Sequence, residues 1–428
     1  MDPTKQNPAM LLGLAHAGTA PSSATSVRPP VLRGMLRERA QQIAKNVVER
    51  DEIDKAALWF HHDDTLIWHA KHFVGVPHFY PVYRWGDYYS YSLLALILFK
   101  VQQGGVLELN PAAIAAANEP DFMLFSGQPT LDLGISRVGG PHDSGFEIGD
   151  VEEFAARITD ALIADTQMIE AKNPGKTNLV LVGGKDSMNL LLLPWKQPTK
   201  AVSALPNFPL VKEFVQKNRL PIEVIKLEDP YDADQLRREA LEGCIQADLQ
   251  HWRWGVHLVR IAREHNHEVV FWKGQVGDLY MSEKWKTFQH PPNKVEEYAR
   301  KIYKRLPAPA FVRTQVGHLL QPRVIQATWD RCARLQGCHM AFIRALTGSL
   351  VVSAYHGPRM YEVWSHADLG KVAQKDMRSR IGRLLLGREV YYPKENPAPP
   401  VSAFRKGLGS PDLFLRLLRE DGLPYVGG

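Results

Sequence analysis

The stretch that most constrains this chain is Asn178-Leu-Val-Leu-Val182-Gly183-Gly184-Lys185-Asp186-Ser187-Met188-Asn189, which runs on into Leu190–Leu193. The branched apolar residues up to Val182 predict a buried strand, Gly183-Gly184 a sharp turn, and the leucine run a packed helix. A strand that turns through glycines into a helix makes an anion cradle. Without a Cβ the backbone approaches an oxyanion closely, and the unpaired N–H groups at a helix start point at it. Asp186 adds a carboxylate suited to Mg²⁺, and Ser187 adds a hydroxyl. A bare Gly-Gly also serves any tight strand–helix turn. The Asp-Ser pair and the flanking apolar runs favour a nucleotide phosphate site.

Beyond Leu193 the chain keeps alternating strand and helix. Lys200–Leu205 predicts a second strand, Leu210–Arg219 a helix, Ile222–Leu227 a third strand, Asp232–Gln250 and Trp252–His265 helices, and His267–Trp272 a fourth strand. Glu152–Glu170, acidic at its start and with Phe154, Ile158, Leu162 and Ile163 in helical register, predicts the helix that precedes the glycine stretch. The fold class expected is therefore α/β, a parallel doubly wound sheet whose ligands sit beyond the carboxyl ends of its strands.

The fourth strand ends in Lys273-Gly274-Gln275-Val276-Gly277-Asp278, a second glycine-bearing turn with an acid. Two such turns on one sheet edge would bring Asp186 and Asp278 together across the phosphates, and one or two carboxylates are what a phosphate-bridging Mg²⁺ takes from a protein. The competing reading of Asp278 is a turn cap. From Val295 onward the pattern is largely helical, with breaks at Pro307–Pro309 and Pro393–Pro400 and a basic amphipathic stretch at Lys371–Leu386. Val401–Ser410 is a basic, glycine-flanked loop before a last helix, Pro411–Glu420. Folded over a phosphate site, it would set Lys406 against charge developing on a leaving pyrophosphate.

Ahead of this unit the chain changes character. Residues 1–32 are rich in Pro, Ser, Thr and Ala and read as an arm. Residues 33–149 predict a smaller α+β module. It comprises a helix from Val31 to about Ile53, one hairpin through Trp59–His69, a second through Phe79–Tyr91, and helices at Ser92–Val101 and Pro111–Ala117. His61, His62, His69, His72 and His78 fit no standard metal spacing and read as structural. The domain expectation is thus arm 1–32, module 33–149 and main unit 150–428.

Composition adds limits. A hydrophobic share of 45% and a charged share of 23% are those of an ordinary soluble chain, and no run is long enough to span a bilayer. The net charge of +6 and pI of about 9.0 suit a polyanion such as ATP, but the excess is small for 428 residues. Cys244, Cys332 and Cys338 form neither a disulfide framework nor a zinc pattern, which fits reduced thiols in a cytoplasm.

The glycine stretch resembles the Ser-Gly-Gly-x-Asp-Ser loop of the ATP pyrophosphatase (PP-loop) superfamily, with Val182 in place of its first Ser. The order of parts over residues 150–410 resembles the asparagine synthetases of that superfamily. Gly348–Tyr355 stands at the Ser-Leu-Glu-Val-Arg segment, and Phe404-Arg405-Lys406-Gly407 at the late Arg/Lys-Gly loop. More faintly, Phe79–Leu98 and Leu124–Gly140, with Thr130–Arg137, are similar to the later half of that family's glutaminase domain. The resemblance implies that Asp186 and Asp278 bind Mg²⁺, that Val182, Gly183, Gly184, Lys185, Asp186, Ser187, Gly274 and Gly277 line the ATP site, and that Lys185 and Lys406 act on pyrophosphate. Two departures bear on activity. The chain begins Met1-Asp2 with no cysteine before Cys244, so no glutamine hydrolysis is expected, and Val351 and Ser353 replace the family's Glu and Arg. The same losses are similar to those of β-lactam synthetases and lasso-peptide cyclases, whose amine comes from the substrate.

The expected function is an ATP- and Mg²⁺-dependent, AMP-forming amide ligase acting on a small-molecule or peptide carboxylate and amine. A partner protein or a second copy is compatible with it, and no membrane or nucleic acid is called for. Tyr355, Tyr361 and Glu362 are the candidate bases. The rivals are a PP-loop tRNA-modifying enzyme and a degenerate, non-catalytic partner protein, the latter motivated by Val182 and Val351.

Overall fold

The computed structural model describes residues 32–49, 66–70, 82–109, 132–137, 148–227, 252–274, 277–281, 340, 344, 347–372, 374, 376–394, 419–423 and 425–426. Its first unit is a five-stranded sheet of order β1-β2-β4-β3-β6, made of β1 (Val47–Glu49), β2 (Ile67–His69), β3 (Tyr83–Trp85), β4 (Tyr88–Ser90) and β6 (Ser136–Arg137). β1 and β2 run parallel and the other pairs are antiparallel. Helices α1 (Gly34–Ala44) and α2 (Leu93–Gln102) belong to the same unit, and α2 starts where the Ser92 hydroxyl accepts from the Ala95 N–H at 3.1 Å. Every residue of α2 from Leu93 to Val101 is buried, Lys100 included. That cation is held by Asp132 at 3.0 Å and Glu108 at 3.2 Å. Asp132 in turn accepts from the Gly134 N–H at 2.7 Å, and burial still pushes its carboxyl above the ordinary aspartate range despite Lys100.

The second unit is a five-stranded, all-parallel sheet of order β11-β10-β7-β8-β9. Its strands are β7 (Thr177–Leu181), β8 (Thr199–Ala204), β9 (Glu223–Leu227), β10 (Val269–Lys273) and β11 (Leu350–Ser353). Leu179 to Val182 and Val269 to Lys273 are buried throughout. Continuous burial of this kind is what a parallel strand covered on both faces requires. Helix α3 (Val151–Lys172) is capped by the Asp150 carboxylate accepting from the Glu153 N–H at 2.8 Å. It buries Phe154, Ile158, Leu162 and Ile169 along one face, as the sequence period requires. Also present are α4 (Lys185–Met188), α5 (Phe208–Lys217), α6 (Trp252–Glu264), α7 (Gly277–Met281), α8 (Pro358–His366), α9 (Leu369–Val372) and α10 (Met377–Leu386). Among the described residues no helix is long and apolar enough to cross a membrane.

The strand order reverses at β7. β8 and β9 extend the sheet on one side of it, β10 and β11 on the other. In open α/β sheets the crevice beyond the carboxyl ends at such a reversal is where ligands bind. The two glycine-bearing turns predicted from sequence follow β7 and β10, the two strands that flank it.

Four expectations need correction. The leucine run does not form a packed α-helix. One α-turn, α4, passes into a 3₁₀ turn, Asn189–Leu192, and Leu193 is extended before Pro194. All of Asn189–Leu193 is buried, so the segment fills the core instead of presenting one face to it. The first helix stops at Ala44, because the β-branched pair Val47-Val48 enters β1. Leu350–Ser353, expected within a helical region, is the edge strand β11. Lys371–Leu386 is two helices, α9 and α10. The chain's end returns to the first unit: β12 (Tyr425–Val426) pairs with β5 (Leu107–Glu108), and the Arg33 N–H donates to the Asp421 carbonyl at 2.8 Å.

Candidate functional site

Register sets the floor of the site. Leu181, Lys273 and Ser353 lie abreast on β7, β10 and β11, so the next residues of all three strands emerge at the same edge. β7 is fastened there to β8. The Val182 N–H donates to the Val202 carbonyl at 2.8 Å, and the Ser203 hydroxyl donates to the Val182 carbonyl at 2.7 Å. One residue further on, the Asn207 side-chain amide donates to the Gly183 carbonyl at 2.6 Å. Val182 itself is fully buried, so the position where the resembling loops carry a hydroxyl has only an apolar side chain in the sheet core.

The turn is closed on itself. Ser187 Oγ accepts from the N–H groups of Gly183 and Gly184, at 3.2 and 3.3 Å, and donates to the Gly184 carbonyl at 2.9 Å. The hydroxyl thus sits where two successive N–H groups converge, the geometry of an anion-binding nest. A Cβ built on Gly184 would meet nothing within 4 Å among the described residues. Lys185 begins α4 and is partly buried.

The second turn packs directly onto the first. A Cβ on Gly274 would lie 2.5 Å from Ser187 Cα and 2.6 Å from its Cβ, so only glycine permits the approach. The Gly277 N–H closes this turn onto the Gly274 carbonyl at 3.3 Å. A Cβ on Gly277 would sit 2.8 Å from the Tyr355 ring. Val182, Gly183, Gly184, Lys185, Asp186, Ser187, Gly274 and Gly277 therefore form one cluster. Asp278 is the second residue of α7, at the same edge, and its side chain lies outside the described residues. Lys406, Tyr361's side chain, Cys244, Cys332, Cys338 and the histidines other than His69 among the five also fall outside them. His69 Nδ1 lies 2.5 Å from the Glu49 carboxylate, a structural partnership between β2 and β1.

Arg378 and Tyr392, which local sequence did not single out, join Asn189 and Tyr355 in completing the cluster. Arg378, in the first turn of α10, donates from Nε to Asp186 Oδ1 at 3.1 Å and also from Nη2 to the same oxygen. Its backbone carbonyl accepts from the Asn189 side chain at 3.1 Å, and the Tyr392 hydroxyl donates to Asn189 Oδ1 at 2.5 Å. Gly382 makes room for that hydroxyl, since a Cβ there would lie 2.2 Å from it. Arg378 is thus a built feature and not a surface side chain at rest. Tyr355 donates to the Asp186 backbone carbonyl at 3.1 Å. Burial first, then the Asp186 charge, hold its hydroxyl far above the ordinary tyrosine range. A hydroxyl so held stays protonated near neutral pH, and its hydrogen bond makes Tyr355 a group that positions the loop. Glu362 is exposed on α8.

α8 is itself anchored by a side chain from α3. Asp165 Oδ2 accepts from the N–H groups of Arg359 and Met360 at 3.1 and 3.3 Å, and Oδ1 accepts from Arg359 Nη1 at 2.9 Å. This carboxylate caps the start of a helix far away in sequence. A Cβ on Gly357 would lie 2.0 Å from Asp165 Oδ2, which explains the glycine before Pro358. Desolvation raises the Asp165 pKa to about 6 against the lowering effect of Arg359.

Among the described residues no group of three or more His, Cys, Asp and Glu is placed to hold a metal ion. Mg²⁺ asks less of a protein when it bridges phosphates, one or two carboxylates with water. Asp186, its side chain 26% exposed at the turn, is a carboxylate that could serve in that way, and in this structure it is paired with Arg378. No protein-family model matches the chain, and no curated protein matches it.

Proposed function

We propose that the chain is an ATP-dependent, AMP-forming amide ligase of the asparagine synthetase-like, PP-loop type, acting without glutamine hydrolysis. The observation that carries the reading is the packing of the Gly274 turn onto Ser187 at the point where the strand order reverses. That junction supplies backbone N–H groups, a carboxylate and cations in one place, which is the equipment polyphosphate chemistry needs.

On this reading the N–H groups of Gly183 and Gly184 leave Ser187 Oγ and bind phosphate oxygens of ATP. Lys185 and Lys406 add positive charge toward the β- and γ-phosphates. Asp186 and Asp278 would hold Mg²⁺, which would neutralise charge on the leaving pyrophosphate. A substrate carboxylate oxygen bonds to the α-phosphorus as the α–β bridge breaks. An amine nitrogen then bonds to the carbonyl carbon as AMP leaves with the electrons of the C–O bond. Val351, fully buried in β11, offers no polar group to the amine, which fits an amine delivered by the substrate itself. The chain mostly positions and neutralises.

One observation favours a second reading, a non-catalytic relative. The nest is filled by Ser187 and the carboxylate by Arg378, so the turn satisfies itself internally. Incubation with Mg²⁺-ATP and cell extract, followed by mass spectrometry, separates the two. The ligase produces AMP and a new amide, both lost in Asp186→Ala. The non-catalytic relative produces neither.

A further inference from the structure

We infer that Arg378 guards Asp186, so that this site takes up a divalent cation only together with a polyphosphate. The inference rests on the nucleotide reading above and adds an order of binding to it.

The argument begins with charge. Arg378 approaches Asp186 Oδ1 with two donors, Nε at 3.1 Å and Nη2 closer still. The pair is mostly shielded from water, with side-chain exposures of 20% and 26%. A cation arriving alone must displace a guanidinium that keeps two charge-assisted hydrogen bonds, and it offers Arg378 nothing in return. A polyphosphate changes the balance, because its oxygens accept the same paired donors in the same planar geometry. Asp186 is then released as the anion brings its own cation. The exchange requires no travel by the rest of α10. The Arg378 carbonyl is held by Asn189, which immediately follows α4, and Asn189 is held by Tyr392. The Asp186 backbone is held by Tyr355. With both backbones held in this way, the Arg378 side chain can swing from Asp186 to a phosphate without moving α10.

The test uses Mn²⁺ as the probe, measured by equilibrium dialysis against a chamber of equal free ATP, with the full chain. Wild type should bind Mn²⁺ at least tenfold more tightly with ATP than without it. Arg378→Gln should bind Mn²⁺ without ATP at least tenfold more tightly than wild type does. Arg378→Lys, which keeps a charge at the carboxylate, should restore most of the exclusion. The inference is overturned if wild type binds Mn²⁺ equally with and without ATP, or if a folded Arg378→Gln gains nothing. The wild-type comparison stands even if the variant fails to fold. If wild type binds no ATP under any metal condition, the nucleotide reading fails instead, and the gain or its absence in Arg378→Gln still reports whether Arg378 guards the carboxylate.

Discussion

Gly274→Ala tests the junction of the two turns. The added methyl carbon would lie 2.5 Å from Ser187 Cα, 2.6 Å from its Cβ and 2.8 Å from its nitrogen. None of these atoms is the free end of a flexible side chain. The Ser187 turn cannot retreat easily, because its own hydroxyl, Asn207 and Tyr355 all hold it. Overpacking of this kind costs about 1–3 kcal/mol, and the rigid neighbour puts Gly274→Ala near the top of that range. At roughly 2–4 °C per kcal/mol for a unit of this size, the melting temperature should fall by about 6–12 °C. Gly184→Ala is the matched control. It lies in the partner turn, its backbone is extended at φ −177°, and its new methyl would meet nothing within 4 Å among the described residues. Its stability should change by no more than about 0.5 kcal/mol, as for an ordinary exposed substitution. Thermal and urea melts followed by circular dichroism read both. If Gly274→Ala melts with wild type, or if the two variants lose equal stability, the turns are not packed as described.

Asp165 supplies a pH prediction. Its folded pKa of about 6 lies above the ordinary 3.8, so the fold favours the protonated form. The associated stability, ~3 kcal/mol at 1.36 kcal/mol per unit, is present below pH 3.8 and is lost as pH rises to about 6. Asp165→Asn keeps an oxygen for the Arg359 and Met360 N–H groups, so it should flatten that part of the stability–pH curve and equal or exceed wild type at pH 7.5. A variant with the same slope as wild type between pH 4 and 6 would contradict this. Lys100→Met leaves Asp132 buried without its cation and should destabilise the first unit by about 3–5 kcal/mol in urea melts. Adding Asp132→Leu should recover most of the loss, and a double variant no better than the single one would contradict the pairing.

Strands β7 to β10 were legible in the sequence because each is a short run with branched apolar residues, bounded by turn residues and alternating with helical segments. β11 was not, because Leu350–Ser353 is four residues long and periodicity cannot separate so short a run from a buried helix turn. Leu190–Leu193 misled for a related reason. A segment buried on all sides shows no face, so its apolar run does not reveal whether it continues as a helix. The glycines of both turns and Asp186 were legible locally. Arg378 and Asp165 were not, since Arg378 meets a partner 192 positions away and Asp165 one 194 positions away. Their residue types announced only a basic helix and a polar interruption in an apolar face, and the sheet topology supplies what joins them.

The central claim is that ATP binds where β7 and β10 part. Calorimetric titration of Mg²⁺-ATP into wild type and into Gly184→Val tests it most directly, because the new Cβ would meet nothing within 4 Å among the described residues and the side chain would occupy the space proposed for phosphate. The account predicts saturable binding by wild type and at least tenfold weaker binding by a Gly184→Val protein that melts normally. Absence of ATP binding by wild type, or equal binding by the two proteins, would contradict it.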